Sequence, residues 1–563
     1  MKESLREFYN LLEDEWENRM HINPLFATYT GDHRFDDKLP RVREQDFTQR
    51  SNQLKVFYDR LNSINKEDFL SSDLLNYNIF TYYLENELSS LKFHRYRFPL
   101  SKVGGLHLEF PELFLRMSMK TQRDYQNYIS RLKGFPLFVE DHIEIMRTGL
   151  KEGQIPPKVT MVGVVESIHN QIVNDPEKSR LYEPFKQIPK GLSSTDREEL
   201  LNTGINAINN FIIPGFRKLS YFLENEYIKQ SRDSLAASNL PDGKNYYQFC
   251  IKYYTTLDIN PETIHKKGLE EVQRIKNEMK NLIDKAEFKG SIKEFTQNMR
   301  NDSRFYVDKP ETLLEKTALI LKRMDGELPK LFKTLPRLPY GIRPIPDYAA
   351  PGNTTAYYYP GTGDGTQSGT YYVNTYDLKS RPLYELEALS FHEAVPGHHL
   401  QIALQQELDL PNFRRFSRFT AFVEGWGLYS ERLGLETGFY TDIYSNFNRL
   451  SYEMWRACRL VVDTGIHALE WSRQRAIDFL AENTSLSLLN ITNEVDRYIC
   501  WPGQALAYKL GEIKISELRQ LVEKKLKENF DVREFHNEIL KNGAIPLEIL
   551  ENIMNEWIEK HEI

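Results

Sequence analysis

Three of the chain's 13 histidines lie within eight positions, in segment 391–401, which reads FHEAVPGHHLQ. A histidine followed directly by a glutamate is typical of helical zinc sites. There, two histidines hold the metal and the glutamate takes a proton from the bound water. His392 and Glu393 form such a pair. The next two histidines, His398 and His399, follow six and seven positions after the first.

This spacing departs from the ordinary zinc motif, whose second histidine would fall on Pro396. In a straight helix an i+6 side chain points about 240° away from the first, and an i+7 side chain lies about 10 Å along the axis. Because Pro396 removes a helical hydrogen bond and Gly397 tolerates unusual backbone angles, we expect a bulge or kink. The kink would bring His398 back towards His392 and leave His399 beside it, where it would support a ligand or face the substrate. The alternative is that these histidines cap and pack a broken helix.

A third ligand is expected, because zinc sites of this kind use three protein ligands and keep the fourth position for water. Glu424 lies on the apolar stretch 420–431, where an unpaired carboxylate is costly to bury and a metal would offset that cost. We therefore predict one Zn²⁺ ion held by His392, His398 and Glu424. Glu431 is a second ligand candidate, or a support for a ligand. The alternative is that Glu424 is an ion-paired core residue without metal.

Elements that could position these residues are predicted to be almost entirely helical. The amphipathic runs that predict helices are 2–20, 45–64, 66–92, 119–150, 194–231, 261–287 and 310–333, followed by 383–408, 413–434, 444–482, 487–498, 503–512, 515–528 and 546–560. Segment 335–380 is rich in Pro and Gly, which excludes long helices there. Within it, 355–359 and 369–375 are β-type runs separated by the Gly-rich segment 361–369, and they predict a small antiparallel hairpin or sheet.

The composition is that of an ordinary soluble protein. The 563 residues are 40% hydrophobic and 12% aromatic, which excludes global disorder. The net charge of −7 argues against nucleic-acid binding, and no run approaches the ~20 apolar residues of a membrane helix. The N-terminal residues show no apolar segment typical of a secretory signal, so we expect a cytoplasmic protein. The three cysteines have no spacing typical of a disulfide or zinc motif.

Five strings occur in an order that resembles a known family. They are GTYYVNT at 369–375, HEAVPGHHLQ at 392–401, FVEGWGLY at 422–429, RLVVDTGIH at 459–467 and WPGQALAY at 501–508. Together they resemble the bacterial family known as domain of unknown function number 885, over most of the chain. That family is similar to the gluzincin metallopeptidases, the group of thimet oligopeptidase, angiotensin-converting enzyme and thermostable carboxypeptidase.

The resemblance implies a large multi-helix, mainly α fold that encloses a deep cleft, with a small antiparallel sheet beside the zinc-motif helix. Residues 1–335 would form one wall of the cleft and 336–563 the catalytic part, either as two parts or as one continuous domain. In such peptidases an edge strand pairs with the backbone of an extended substrate. The resemblance gives this role to 369–373, with Tyr371 and Tyr372 in contact with substrate. A plain sheet strand is the alternative.

A polar stripe on the predicted helix 451–473 suits a position beside a metal. Its members, at i, i+3, i+7 and i+11, are Arg456, Arg459, Asp463 and His467. In the functional interpretation, Asp463 supports a metal ligand, an arginine binds the substrate carboxylate, and His467 stabilises the transition state. A structural salt-bridge network is the alternative.

The predicted function is zinc-dependent hydrolysis of short unstructured peptides. Glu393 would take a proton from the zinc-bound water, and His467 or Tyr508 would stabilise the oxyanion. The two-residue insertion in the zinc motif departs from the gluzincin pattern and leaves open whether His398 or His399 is the ligand. The alternative class is a metal-free or degenerate peptidase-like helical protein that binds peptides.

Overall fold

The computed structural model of the chain describes residues 2–347, 350, 354–362, 365 and 367–561. The predicted fold class is confirmed, because helices dominate and the strands form only small sheets. The chain divides into two compact units, Met1–Tyr246 and Tyr247–Ile563. The functional division near residue 335 and the cleft stay predictions. Among the described residues, no helix combines the length and the apolar character needed to cross a membrane.

The first unit has a core of aromatic and aliphatic side chains around one long helix. Its elements are α1 (Glu3–Ile22), α2 (Pro24–Thr30), α3 (Glu44–Ser63), α4 (Ser71–Lys92), β1 (Leu100–Ser101), β2 (Gly104–Gly105), α5 (Leu106–Glu109), α6 (Gln122–Lys151), α7 (Val164–His169), α8 (Ser194–Ala207) and α9 (Ile213–Phe222). Thr121 caps the N-terminus of the long helix α6, and its hydroxyl accepts a hydrogen bond from the Asp124 N–H in a capping box. On α6, Phe135 packs against Phe110 and Phe216 at ring-centroid distances of 4.3 and 4.6 Å.

The second unit carries every residue of the predicted site. The helix α10 (Gly243–Thr255) contains the division between the units, and it has no counterpart among the predicted helices. The remaining elements are α11 (Pro261–Lys285), α12 (Ile292–Asn301), α13 (Pro310–Leu331), β3 (Tyr340–Pro344), β4 (Ala356–Tyr359), β5 (Gly369–Val373), α14 (Leu386–Glu393), α15 (His398–Glu407), α16 (Asn412–Arg415), α17 (Thr420–Leu433), α18 (Ile443–His467), α19 (Arg473–Asn483), α20 (Leu488–Cys500), α21 (Leu506–Leu526), α22 (Val532–Leu540) and α23 (Leu547–His561).

The three-stranded sheet of this unit differs from the prediction in one respect. The β4 and β5 strands pair antiparallel, as expected, with Tyr358 opposite Tyr371. However, β3 adds to the other side of β5 in parallel, so that the order is β3-β5-β4. The prediction that 369–373 is an edge strand is therefore wrong, because β5 has β4 on one side and β3 on the other. No strand was predicted in the Pro-rich residues that form β3. Residues 363, 364 and 366 of the predicted Gly-rich connection lie outside the described residues.

Helices α17 and α21 touch through their backbones. A Cβ atom added to Gly425 on α17 would lie 2.5 Å from the Cα of Gly511 on α21. A Cβ atom added to Gly511 would lie 1.9 Å from the carbonyl oxygen of Ala421. Since backbone atoms cannot give way like flexible side chains, this crossing requires glycine on both helices. The crossing holds α17, the helix that carries Glu424, directly against α21.

We expect Gly511→Ala to destabilise the protein by about 1–3 kcal/mol, because the methyl group overpacks the helix crossing. The matched control is Gly326→Ala on α13, where nothing lies within 4 Å of the added Cβ atom. That change should stabilise the helix by about 0.5–1 kcal/mol. Denaturant midpoints followed by circular dichroism measure both. Equal midpoints for the two variants would contradict the backbone contact.

Candidate metal centre

The histidine segment forms two helices joined by a short connection rather than one kinked helix. The α14 helix ends at Glu393 and α15 begins at His398. Between them the backbone turns so tightly that a Cβ atom on Gly397 would lie 2.0 Å from the carbonyl oxygen of His392. Only glycine permits this approach. The two extra residues of the motif are therefore absorbed in the connection 394–397.

The connection is fixed to α17 by hydrogen bonds. The Pro396 carbonyl oxygen accepts a bond of 2.9 Å from the indole N–H of Trp426 and one of 3.3 Å from the Ser430 hydroxyl. Both donors are completely buried. They satisfy a carbonyl group left without a helical partner at the break. The residues around the break thus have a defined position relative to the helix that carries Glu424.

His392, His398 and Glu424 converge in the interior. The Oε2 atom of Glu424 lies 3.7 Å from Nε2 of His392 and 3.4 Å from Nε2 of His398. The two imidazole rings meet edge to face, with centroids 4.7 Å apart. One ligand atom from each of the three residues lies within 4.8 Å of the others. The structure therefore brings together the three residues that were predicted as ligands.

This donor set fits a zinc ion. Ligand atoms placed tetrahedrally at about 2.1 Å from a metal are about 3.4 Å from one another. The two distances from the Glu424 oxygen, 3.4 and 3.7 Å, are close to that value. Two imidazoles and one carboxylate also form the ligand set typical of a catalytic zinc site that leaves a position for water.

Glu431 supports a histidine of this group. The Nδ1 atom of His392 donates a hydrogen bond of 2.8 Å to Oε1 of Glu431. In the neutral ring this bond would leave the lone pair on Nε2, the atom that faces Glu424. Behind Glu431, the guanidinium of Arg456 lies 3.7 Å from the same oxygen. Glu431 thus contacts Nδ1 of His392, whereas Glu424 faces Nε2 of the same ring.

The buried charges around Glu424 compensate one another. Burial alone lowers the pKa of His392, but hydrogen bonds to Glu424 and Glu431 outweigh it and raise the pKa to about 9. For Glu424, burial raises the pKa, yet His398, His392 and the Arg418 guanidinium together hold it well below its usual range. The Glu424 carboxylate is thus paired by two imidazoles and a guanidinium, and a divalent cation bound there would compete with the proton of His392.

A glycine makes room for the imidazole rings. A Cβ atom added to Gly427 on α17 would lie 2.9 Å from Cε1 and Nε2 of His392 and 3.1 Å from Cε1 of His398. Sequence reasoning did not identify Gly427 as part of the site. The sequence did contain a signal for it. Two glycines inside one predicted helix, Gly425 and Gly427, lower helix stability and are expected only where close packing requires them.

Glu393, the predicted base, is held by the sheet. Its Oε2 atom accepts a hydrogen bond of 2.9 Å from the backbone N–H of Tyr358. Tyr358 lies on β4, an edge strand of the sheet, and its N–H points away from β5 towards the end of α14. Sequence reasoning missed Tyr358, because a backbone contact between residues 35 positions apart leaves no mark on residue type.

His399 faces the sheet. Its Nδ1 atom and the Tyr358 hydroxyl are 2.9 Å apart, and its ring packs on Tyr340 with centroids separated by 4.7 Å. Burial lowers the pKa of His399 to about 4, so the ring is neutral. The structure thus places consecutive histidines in different surroundings: His398 beside Glu424, and His399 beside the strands.

Two members of the predicted polar stripe belong to a separate buried cluster. Asp463 accepts hydrogen bonds of 2.6 Å from the Tyr247 hydroxyl and 3.0 Å from the Gly503 N–H. Burial raises the pKa of Asp463 to about 7. His467, completely buried, is hydrogen-bonded through Nε2 to the carbonyl of Tyr498 at 2.9 Å. These hydrogen bonds hold the turn before α21 rather than His392 or His398.

Arg459 is enclosed by aromatic rings. Its guanidinium lies 4.4 Å from the ring centroids of both Trp455 and Tyr508, and it pairs with Glu494 at 3.2 Å. Tyr508 itself is half-buried. In the sheet, Tyr371 is completely buried, whereas Tyr372 is half-buried and stacks on the ring of Tyr357.

Comparison with known proteins identifies the family of the chain and solved structures that are similar to it. The profile of the family described as "Bacterial protein of unknown function (DUF885)" matches residues 24–554. A solved structure described as "putative lipoprotein", from Colwellia psychrerythraea, is 26% identical with a TM-score of 0.93 and covers 99% of this chain and 100% of its own. A similarly described protein of unknown function from Shewanella oneidensis is 18% identical with a TM-score of 0.73, covers 98% and 100%, and shows the fold alone. No curated protein matches.

We expect Gly427→Ala to weaken metal binding about 10–100-fold, because the methyl group displaces the His392 ring and disturbs its bond to Glu431. Zinc titration against a competing chelator measures the effect. Gly326→Ala, the exposed helical control, should bind zinc like the unmodified protein. Unchanged zinc affinity in Gly427→Ala would contradict the expected displacement of the ring.

Proposed function

The chain belongs to the bacterial family DUF885, and we propose that it is a zinc-dependent peptidase of gluzincin type that hydrolyses short unstructured peptides. One observation carries the proposal. His392, His398 and Glu424 lie within ligand distance of one another, and Glu393 ends the helix that supplies the first of them. Two histidines, a carboxylate and an adjoining glutamate are what metal-assisted hydrolysis needs.

The zinc would be held by His392, His398 and Glu424, and Glu431 would orient His392. A zinc ion bound there would supply Lewis-acid chemistry, which polarises a carbonyl group and makes water more acidic. Glu393 accepts the proton of the attacking water and passes it to the amine that leaves. The Tyr358 N–H fixes the direction of the Glu393 carboxylate without neutralising its charge. Of the two residues proposed to stabilise the oxyanion, Tyr508 is half-buried and His467 completely buried, which favours Tyr508.

The edge strand β4 takes the substrate-binding role that was first given to β5. Backbone groups on an edge strand pair with an extended peptide and give affinity with little regard to its sequence. Tyr358 lies on this strand and touches both Glu393 and His399. A peptide lying along β4 would therefore run past the base. Broad specificity for unstructured peptides follows from this arrangement.

A second candidate is a metal-free protein that binds peptides. The observation that favours it is the compensation of charge at Glu424 by His392, His398 and Arg418. Such a site is stable without a cation. The two candidates differ in metal content, because only the peptidase would retain close to one equivalent of zinc after purification.

The place in the cell is also a proposal. The sequence predicts a cytoplasmic protein, whereas the structurally similar proteins are described as lipoproteins, which suggests anchorage at a membrane surface. Fractionation of cells that produce the native gene product decides between the two.

We expect His392→Ala, His398→Ala and Glu424→Ala each to abolish stoichiometric zinc. Glu393→Gln should retain zinc and lower kcat for peptides about 10²–10⁴-fold, because it removes the base and no ligand. His399→Ala serves as the control and should keep most of the zinc, since its ring faces the sheet. Metal analysis and peptide turnover measure these effects.

The assignment of roles would fail if Glu393→Gln lost zinc as completely as His392→Ala. It would also fail if Glu424→Ala kept the metal. A wild-type protein that stays folded, binds no zinc and hydrolyses no peptide would favour the metal-free candidate.

Tyr358→Pro should lower kcat for peptides while zinc content stays the same, because proline removes the N–H that orients Glu393. The matched control is Tyr358→Phe, which keeps the N–H and loses only the hydroxyl beside His399. It should retain most of the activity. If folded Tyr358→Pro turned over peptides at the wild-type rate, the backbone bond would have no catalytic importance.

A further inference from the structure

The first unit contains a cavity that the proposed peptidase chemistry does not use. It has a volume of about 540 Å³ and is lined by residues of α3, of α4 and of the segment directly after α4. Small-molecule sites typically have volumes of about 300–1,000 Å³. Every residue that lines the cavity belongs to the first unit, and none belongs to the candidate metal centre. The cavity is therefore large enough for a ligand of its own.

Two lysines give this cavity a positive charge. Lys55 on α3 and Lys92 at the end of α4 line it, and none of the described residues that line it is acidic. Neither lysine forms an ion pair with any residue that the structure describes. By contrast, Arg50 on α3 is paired with Glu87 on α4. Two unpaired ammonium groups beside one cavity attract an anion.

Three uncharged polar side chains in the same wall are also without partners. Ser51 and Asn52 on α3 and Ser89 on α4 form no side-chain hydrogen bond within the part of the chain that the structure describes. The hydroxyl of Thr48, in contrast, bonds at 2.9 Å to the Glu44 carbonyl of its own helix. The three unpartnered side chains are free to donate hydrogen bonds to a ligand that carries several oxygens.

The apolar part of the wall contains two stacked aromatic rings. Phe47 on α3 and Tyr96 have ring centroids 3.7 Å apart and planes inclined by 12°. Both residues are half-buried, and they line the cavity together with Leu88 and Leu91. A further aromatic ring packs favourably against such a surface. This part of the wall therefore suits the planar ring of a ligand.

Hydrogen bonds fix His94, which also lines the cavity. Its Nδ1 atom lies 2.9 Å from the Tyr96 hydroxyl, which itself donates a bond of 2.8 Å to Glu44. The Tyr96 oxygen therefore accepts the bond from Nδ1–H. His94 has a φ of +51°, in the left-handed region that is unfavourable for a residue with a side chain. Such conformations persist where the surroundings enforce them, and they are frequent at ligand sites.

A second cavity, of about 210 Å³, shares Lys92 and His94 with the first. Its wall contains the acidic residues Glu152 and Asp242. An anion would be repelled by these carboxylates. The smaller cavity is also below the usual volume of a small-molecule site. Charge and size thus both favour the larger cavity as the place of an anionic ligand.

The number of unpartnered groups favours a phosphate over a carboxylate. A phosphate monoester carries about −1.5 to −2 charges at pH 7 and has three oxygens that accept hydrogen bonds. A carboxylate carries a single charge and has two oxygens. Two ammonium groups and three neutral donors match the phosphate better, and lysine is a common phosphate ligand.

We propose that the larger cavity of the first unit binds a small phosphate monoester whose organic part is a planar ring. The ring packs against Phe47 and Tyr96, and the phosphate pairs with Lys55 and Lys92. The three unpartnered polar side chains donate hydrogen bonds to the oxygens of the ligand. The site needs neither zinc nor the proposed peptidase activity.

The test compares naphthyl phosphate with naphthol, which has the same rings and no anionic group. Isothermal titration calorimetry on the full chain should show the phosphate binding about 10–100-fold more tightly, as expected for charge-assisted hydrogen bonds. The double variant Lys55→Gln, Lys92→Gln should abolish this difference. The matched control is Lys133→Gln, which changes an exposed lysine of α6 outside the cavity wall. It should preserve the preference for the phosphate.

Phe47→Leu tests the contribution of the rings. It should weaken the binding of both probes about 3–10-fold and leave the ratio of their affinities unchanged, because it removes an aromatic surface and no charge. Circular dichroism spectra of each variant verify that it is folded.

Glu424→Ala separates this site from the candidate metal centre, because a phosphate can also bind zinc. This variant should bind naphthyl phosphate like the unmodified protein. Loss of binding in Glu424→Ala would move the probe to the metal centre and overturn the proposal. Equal binding of phosphate and naphthol, no binding of either, or a phosphate preference that survives the double lysine variant would also overturn it.

Discussion

The burial of one carboxylate constrains the second unit. Glu424 stands on a helix whose neighbouring residues are buried, so its charge must be compensated inside the protein. The compensation comes from three directions: His392 at the end of α14, His398 at the start of α15, and Arg418 just before α17. Each of these elements must therefore end or begin beside Glu424. The break between α14 and α15 is a direct consequence, since one straight helix could not present both histidines to the same oxygen.

Glycines make this convergence sterically possible. Gly425 and Gly511 allow α17 and α21 to touch through their backbones, and Gly427 leaves space for the imidazole rings. Gly397 allows the connection to pass against the carbonyl of His392. Each of these glycines is unfavourable by itself in or beside a helix, where alanine would be better. Together they indicate that packing around the carboxylate, rather than helix propensity, determined the sequence of these segments.

Much of this arrangement could be predicted from residue types. The residues His392, His398 and Glu424 stood out because histidines cluster rarely and a carboxylate is expensive in an apolar helix. The helical pattern was also correct over most of the chain, although 503–512 and 515–528 form the single helix α21 and 383–408 divides in two. Pairing between distant segments could not be predicted, because β3 pairs with β5 through backbone groups that any sequence carries. The error about the edge strand and the failure to find Tyr358 have this same cause.

The doubled histidine can now be explained by the break itself. Successive residues on a helix point about 100° apart, so the first two side chains of α15 must face different neighbours. His398 faces Glu424, and His399 faces the hydroxyl of Tyr358. The backbone N–H of the same tyrosine holds Glu393 at the end of α14. Tyr358 therefore connects the helices on both sides of the break, and the edge strand is joined to the proposed base and to the residue that follows a proposed ligand. A substrate strand that pairs with β4 would contact the proposed base through this one residue.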